Sequence, residues 1–468
     1  MKEMRILCAT GMLGRGLVES SLRRAVEKHD IDFIACDSGS NDGGPGNYAG
    51  PELGRPEKKV YEDLQTLLAI RDEEDIPFLV GSTGGPGTNQ NVDRVAAFVE
   101  EIAEEQGLEF DLAKIYTEID RNLLIDRINA GDIGNLSYDK RLSEGDVNNA
   151  ETIVGQIGIE PFVEAIEDGA DIVLGGRCLD VSQFSAIPIM QGFDRGLVYH
   201  LAKLLECGTN TLKKADGRGD TIGQSGVIGV LGEDYFEIFP AHPDWRATIN
   251  TVRTQILHEK SDPTRIWIPD GEVEITQAEY EQIDESTVRV SGSSFETTDP
   301  YTVLVEGVEK VGYRTISLGG VPDPNKIENI ESILTNADER FREFNTISEE
   351  KFMKRVRVYG NGESYLFDFN TESPYENSEL GLVIDVVGET QEIAREVNRQ
   401  FTDCIRKVDF DGKMSVGGNI SLPISTNPGK EFDAGPVLEW SIYHLLEDVG
   451  SSEIASVRTA HVNGGGSE

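Results

Sequence analysis

RILCATGMLGRG (Arg5–Gly16), IDFIACDSGSNDGGPG (Ile31–Gly46), IPFLVGSTGGPGTNQN (Ile76–Asn91) and ADIVLGGRCLD (Ala170–Asp180) decide the fold. Each begins as an apolar run of strand length and ends in a loop of Gly, Ser, Thr, Asp or Arg. A helical pattern follows each one. Strand, loop and helix in repetition predict a parallel α/β sheet. Ligands of such sheets sit beyond the carboxyl ends of the strands, and here those ends carry the most polar and most permissive loops of the chain.

Working outward, the strands are expected near Met4–Thr10, Ile31–Asp37, Ile76–Ser82, Leu112–Thr117 and Ala170–Gly176. A helix over Asn91–Gln106 buries Val92, Val95, Ala96 and Val99 and stops at Gly107. Another, near Glu160–Asp168, opens with Pro161 and closes at Gly169. A third, near Asp194–Cys207, sets Val198, Leu201, Ala202 and Leu205 on one face. Beyond Thr221–Gly229 the pattern changes. EVEITQAEYEQI (Glu272–Ile283), STVRVSGSSF (Ser286–Phe295), PYTVLVEGVEKVGYRTISL (Pro300–Leu318), RVRVYG (Arg355–Gly360) and LGLVIDVVG (Leu380–Gly388) mostly alternate polar with apolar residues, as half-buried antiparallel strands do. An amphipathic helix over Thr390–Lys407 follows. The expected architecture is α/β: a doubly wound parallel-sheet domain over 1–225, an α+β domain over 226–450, and a frayed tail over 451–468 ending in NGGGSE.

The charge narrows the function. Asp and Glu number 84 against 43 Lys and Arg, a formal charge of −41. The acid is dispersed, as in RDEEDIP (Arg71–Pro77) and FVEEIAEEQG (Phe98–Gly107), and such a surface repels nucleic acid and anionic lipid. Dispersed acid at this density points to a halophile's cytoplasmic protein, whose self-repulsion high salt screens. The five cysteines are scattered without a CxxC, which speaks for reduced thiols and against a zinc ribbon. The six histidines show no HxH or HExxH spacing. No signal peptide is expected, and no apolar run approaches about 20 residues.

Candidate site residues lie in the four loops. In GMLGRG the glycines Gly11, Gly14 and Gly16 either cradle a phosphate or carboxylate on free backbone N–H groups or make a tight turn; the order is GxxGxG, not the GxGxxG of dinucleotide folds. In DSGSNDGGPG, Asp37 and Asp42 flank Ser38. Aspartates there hold a ribose hydroxyl, ligate a divalent cation or act as a base, unless the loop is only a surface turn. In GSTGGPGTNQN, Ser82, Gly84, Gly85 and Asn89 offer an anion nest or a helix cap. In GGRCLD, Arg177 either clamps a carboxylate or phosphate or pairs with Asp180. Glu206, beside an apolar stripe, is a partly buried acid or base, or a solvated helix end. His258 and Glu259 either face the cleft or cap a helix.

From Gly175 to Gly208, GGRCLDVSQFSAIPIMQGFD through HLAKLLECG, the chain resembles the acyclic terpene utilisation, or AtuA-like, family. The likeness extends to DSGSNDGGPG, GSTGGPG, IGIEPFVEAIEDGADIVLGGR, LHEKSDP, VRVSGSSF and DPYTVLVEGVEKVGYRTI, and covers about Arg5 to His444. It implies a catabolic enzyme of branched acids or their CoA esters, and leaves room for a small companion subunit. The expected activity is that of a lyase, a hydratase or dehydratase of a carboxylate or acyl-CoA substrate, in a homo-oligomer. Arg177 and the loops at Gly11 and Gly84 would hold the anion. One of Asp37, Asp42, Asp180 or Glu206 would move the proton, with a divalent cation at Asp37 and Asp42 an optional polariser. The alternatives are a nicotinamide-dependent oxidoreductase and a metabolite-binding subunit without catalysis.

Overall fold

The computed structural model describes residues 2–39, 43–50, 52–136, 140–215, 224–257, 262–360, 364–366, 375–377, 379–414, 416–423 and 431–465. The four quoted runs form strands β1 (Met4–Cys8), β2 (Phe33–Asp37), β3 (Phe78–Gly81) and, after β4 (Glu109–Tyr116) and β5 (Ala150–Gln156), β6 (Ile172–Gly175). They pair in parallel in the order β1-β2-β3-β6-β4. Both faces are buried, which is why these runs read as nearly continuous apolar residues.

The pleat divides them between two cores. Leu7, Ile34, Cys36, Phe78 and Val80 face helices α1 (Glu19–Lys28), α2 (Glu57–Glu74) and α3 (Asn89–Gln106). Ile6, Cys8, Phe33, Ala35 and Leu79 face α4 (Glu160–Glu167), α5 (Ser182–Met190) and α6 (Arg195–Leu205). Helices therefore cover both faces, the doubly wound arrangement expected. The neighbours β3 and β6 send their following helices to opposite faces. In such sheets that is the switch point, and here the two loops close on each other: Arg177 Nη1 donates to Ser82 Oγ at 3.1 Å.

The sheet is larger than the sequence suggested. Residues expected to begin a second domain at 226 instead add β7 (Val227–Leu231), β8 (Tyr235–Pro240), β9 (Glu279–Gln282) and β10 (Val288–Ser291). These antiparallel strands extend the sheet outward from β1 in the order β9-β10-β8-β7-β1. Alternation announces a half-buried strand but not its partner, so the boundary was misplaced. The chain falls into one compact unit of Met1–Glu309 with Trp440–Glu468, and a second of Lys310–Glu439.

Strand β11 (Thr302–Val321) pairs with β5 through its first residues, in the first unit. In the second unit its later residues pair with β13 (Leu380–Gly388), which also pairs with β12 (Phe352–Tyr359). Leu382, Ile384 and Val386 pack there against α7 (Ile330–Phe344) and α8 (Gln391–Lys407). This unit is α+β, with the predicted amphipathic helix in place. Strand β14 (Phe432–Glu447) leads back to the first unit.

The expected tail is also corrected. Ser456–Asn463 forms β15, antiparallel to β4 at the sheet's edge, and the Gly464 N–H donates to the Leu108 carbonyl at 2.8 Å. Its side chains are largely exposed, so the sequence there carries little apolar signal. Among the described residues no helix is long and apolar enough to cross a membrane.

Candidate functional site

Asp37 ends β2 and is 3 % exposed. Asp180 follows β6, and Glu206 caps the end of α6 at 6 % exposure. These three carboxylates, expected separately, gather at the carboxyl edge of the parallel strands, close enough for each to act on another's charge. Burial, and then Asp180 and Glu206, hold the Asp37 carboxyl well above the usual range, although Arg177 and the Ser38 N–H oppose the shift. Burial likewise raises Glu206 against the pull of Lys203. Among the described residues, neither Asp37 Oδ1 nor Asp180 Oδ1 has a hydrogen-bond partner. Two buried, unsatisfied carboxylate oxygens on one strand edge mark a place built to meet something else.

Lys203 completes the cluster, and the sequence reading missed it. Its ammonium donates to Glu206 Oε1 at 2.6 Å and lies 3.8 Å from Asp180 Oδ2. Burial alone would discharge it, yet Glu206 and then Asp180 keep its pKa above the ordinary lysine value. The signal was present: Lys203 precedes Glu206 by three residues, one turn back on the same helix face.

Arg177 is more enclosed than Lys203, at 2 % exposure. Its fork faces inward. Nε donates to Glu306 Oε2 at 2.7 Å and Nη2 to Glu306 Oε1 at 3.4 Å, while Tyr48 Oη donates to the same Oε2 at 2.8 Å. Nη1 donates to Ser82 Oγ at 3.1 Å and to the Cys178 carbonyl at 3.5 Å. The alternative partner, Asp180, stands 3.9 Å away, beyond hydrogen-bond distance. Arg177 is thus hydrogen-bonded to Glu306, a residue of β11 that no local motif announced, while Asp180 forms only the longer ion pair. Burial pushes the neighbouring Cys178 thiol up to about 12, with Asp37 adding to the shift. It is a packed thiol, not a nucleophile at neutral pH.

The glycine loops prove to be self-satisfied where free N–H groups were expected. The N–H groups of Gly14 and Gly16 donate to Asp63 Oδ2 of α2 at 2.8 and 3.1 Å, so this turn already holds an anion of the chain itself. Helix α1 begins only at Glu19. Gly11 is a close approach: a Cβ there would lie 2.6 Å from the Cys207 carbonyl carbon. The Gly84 N–H donates to Ser38 Oγ at 3.0 Å, and that of Gly85 to the Ser82 carbonyl at 3.0 Å. Gly39 permits these two loops to touch, since its Cβ would fall 2.2 Å from Gly85 Cα. Asn89 Oδ1 accepts from the N–H groups of Thr117 and Glu118 at 3.2 and 3.4 Å, fixing the start of α3 to the end of β4. Ser82 remains at the site, buried with a φ of 44°.

Asp42, His258 and Glu259 lie outside the described residues. Among the described residues no group of three or more His, Cys, Asp or Glu is placed to hold a metal ion. Two of the clustered carboxylates, Asp180 and Glu206, flank the Lys203 ammonium.

Fold and site together define a three-layer α/β protein with a buried acid–lysine cluster at the switch point of its parallel strands. The family model for the acyclic terpene utilisation family protein AtuA matches residues 4–211 and 242–416, and the chain belongs to that family. Asp37, Tyr48, Ser82, Arg177, Asp180, Lys203, Glu206 and Glu306 all fall within the matched spans. No curated protein and no solved structure matches the chain.

Proposed function

We propose that the chain is a lyase, a hydratase or dehydratase of a carboxylic acid or its acyl-CoA thioester, with the branched substrates that the family's name suggests. The observation that carries this reading is that Asp37 Oδ1 and Asp180 Oδ1 accept no hydrogen bond among the described residues, with the Lys203 ammonium 3.8 Å from the other oxygen of Asp180. Reversible hydration next to a carbonyl needs a base for the carbon-bound proton, an acid for the departing hydroxyl, and a cation for the carbonyl oxygen. Asp37, whose protonated form burial and its acidic neighbours favour, suits the acid. Asp180, whose side chain is 23 % exposed, is the more accessible carboxylate and suits the base. Lys203, steadied by Glu206, suits the carbonyl or carboxylate oxygen. Arg177, expected as the substrate clamp, takes no such part, because its fork is held by Glu306.

The occupied N–H groups of Gly14 and Gly16 weigh against a nicotinamide dinucleotide at that turn. The deciding experiment incubates the protein with a panel of hydroxy acids and acyl-CoA esters in deuterium oxide, with and without magnesium. The expected result is solvent deuterium in the product without added nicotinamide. Asp37→Asn and Asp180→Asn should each lower it by about a hundredfold or more, since the amides keep the shape but exchange no proton, and Glu206→Gln should lower it by removing the charge that steadies Lys203. Turnover that tracks reduced nicotinamide would make the protein an oxidoreductase. Deuterium exchange that appears only on adding a companion protein would make it part of a hetero-oligomer. The expected oligomeric and cytoplasmic state, and the halophilic reading, belong to the same proposal.

A further inference from the structure

The charge of Arg177 is the largest feature of the site that the proposed chemistry leaves unused. Arg177 lies beside the catalytic cluster, 3.9 Å from Asp180 Oδ1, and its Nη1 reaches Ser82. It is bound on its other side by a carboxylate at 0 % exposure, Glu306, through two N–H groups of one fork. Tyr48, itself fully buried and stacked edge-on against Trp440 at 4.8 Å, orients that carboxylate through its hydroxyl. A bidentate pair with a third donor fixes both position and charge.

We propose that Glu306 is a positioning residue for the carboxylate cluster: it holds the Arg177 guanidinium against Ser82 and the Cys178 carbonyl, and cancels its charge toward Asp37, Asp180 and Glu206. Arg177, 3.9 Å from Asp180, also draws the Asp37 carboxyl down, and with its charge uncancelled it would favour the ionised form that the proposed reaction does not use. The groups facing Asp37 come from every neighbouring element. Cys8 lies on β1 and Cys36 on β2. Arg177, Cys178 and Asp180 follow β6, and Glu206, with Lys203 beside it, ends α6. Of these, Arg177 is the cation that draws the Asp37 carboxyl down, while desolvation, Asp180 and Glu206 push it up. Removing the Glu306 charge strengthens the opposing pull, so Asp37 then loses its proton at lower pH.

This inference rests on reading Asp37 as the acid, but its test needs no substrate. The pH dependence of the protonated-carboxyl infrared band, taken as the difference between a protein and its own Asp37→Asn variant, reports Asp37 directly. In the wild type the midpoint is expected above the usual carboxylate range. In Glu306→Gln it moves down by about one pH unit or more. With Arg177→Gln added to Glu306→Gln it returns to the wild-type position or above, because the cation has gone as well.

A Glu306→Gln midpoint equal to the wild type's overturns the inference, as does an Asp37 that is ionised throughout in the wild type. Should Glu306→Gln fail to fold, the double variant carries the test alone. It replaces a buried ion pair by two amides, and a midpoint below the wild type's would overturn the inference. A normal infrared result with no deuterium incorporation removes the hydratase reading and leaves the role of Glu306 standing; the reverse outcome removes only that role.

Discussion

At the residue scale, the site is made of groups held in states that cost stability. Asp37 binds its proton more tightly folded than unfolded, because burial and then Asp180 and Glu206 disfavour its charge. Its contribution is therefore fully present below the unfolded carboxyl pKa and is lost as pH rises through the higher folded one. Asp37→Asn removes that loss. The variant should melt above the wild type near about pH 8, and the gap should narrow or vanish near about pH 4, in thermal unfolding followed by circular dichroism. A gap independent of pH would show that Asp37 is not the group responsible. Arg177→Lys tests the opposite kind of residue. Lysine keeps the charge but cannot match both oxygens of Glu306, so a loss of about 3 kcal/mol of stability is expected from denaturant unfolding. A nearly unchanged midpoint would mean that the buried pair contributes little.

Residues whose role depends on a strand end were legible: Asp37, Asp180 and Glu206 could be placed because a βα repeat dictates where strands and helices stop. Lys203 was legible in principle from its spacing to Glu206. Glu306 and Tyr48 were not. Their partner is Arg177, 129 residues before Glu306, and no local pattern encodes a pairing across that separation.

At the scale of elements, the parallel strands and α3, α4, α6 and α8 followed directly from their apolar runs, glycine stops and proline starts. What failed was the assignment of partners. The strands β9 and β10 lie in stretches read as alternating but join the sheet of β1 through β8 and the fully buried β7, which no alternation announced, and β15 closes its far edge with mostly exposed side chains. The turn after β1 failed for another reason. A glycine-rich strand-to-helix turn advertises free N–H groups, yet the anion that answers Gly14 and Gly16 is Asp63, supplied 47 to 49 residues later by α2. Burial raises the Asp63 carboxyl in spite of those two N–H groups. Asp63→Ala leaves two N–H groups without their acceptor and should cost about 2 kcal/mol in denaturant unfolding. If inorganic phosphate then restores the melting temperature of the variant more than that of the wild type, it is filling the vacated position. If phosphate stabilises the wild type as strongly, the turn is a ligand site after all.

At the scale of the whole molecule, the acidic excess governs. Many surface cations are already paired, as Arg23 is with Glu19 and Glu73, and Arg94 with Glu57. Such exposed pairs each contribute little. The carboxylates outnumber the cations by 84 to 43, so most of the remaining negative charge faces other negative charge. Salt screens attractive pairs and repulsive ones alike, but here repulsions are the more numerous, and screening should favour the compact state. The Debye length falls from about 10 Å at 0.1 M to about 3 Å at 1 M, which is short against the spacing of neighbouring surface charges. The melting temperature is therefore expected to rise steadily between about 0.1 and about 2 M potassium chloride. Most of the gain should come before about 1 M, where screening is nearly complete. Potassium chloride and sodium chloride should act alike if screening is the cause. A melting temperature that stays flat or falls over that range would remove the halophilic reading, and would mean that the acidic surface serves a partner or solubility and not a saline interior.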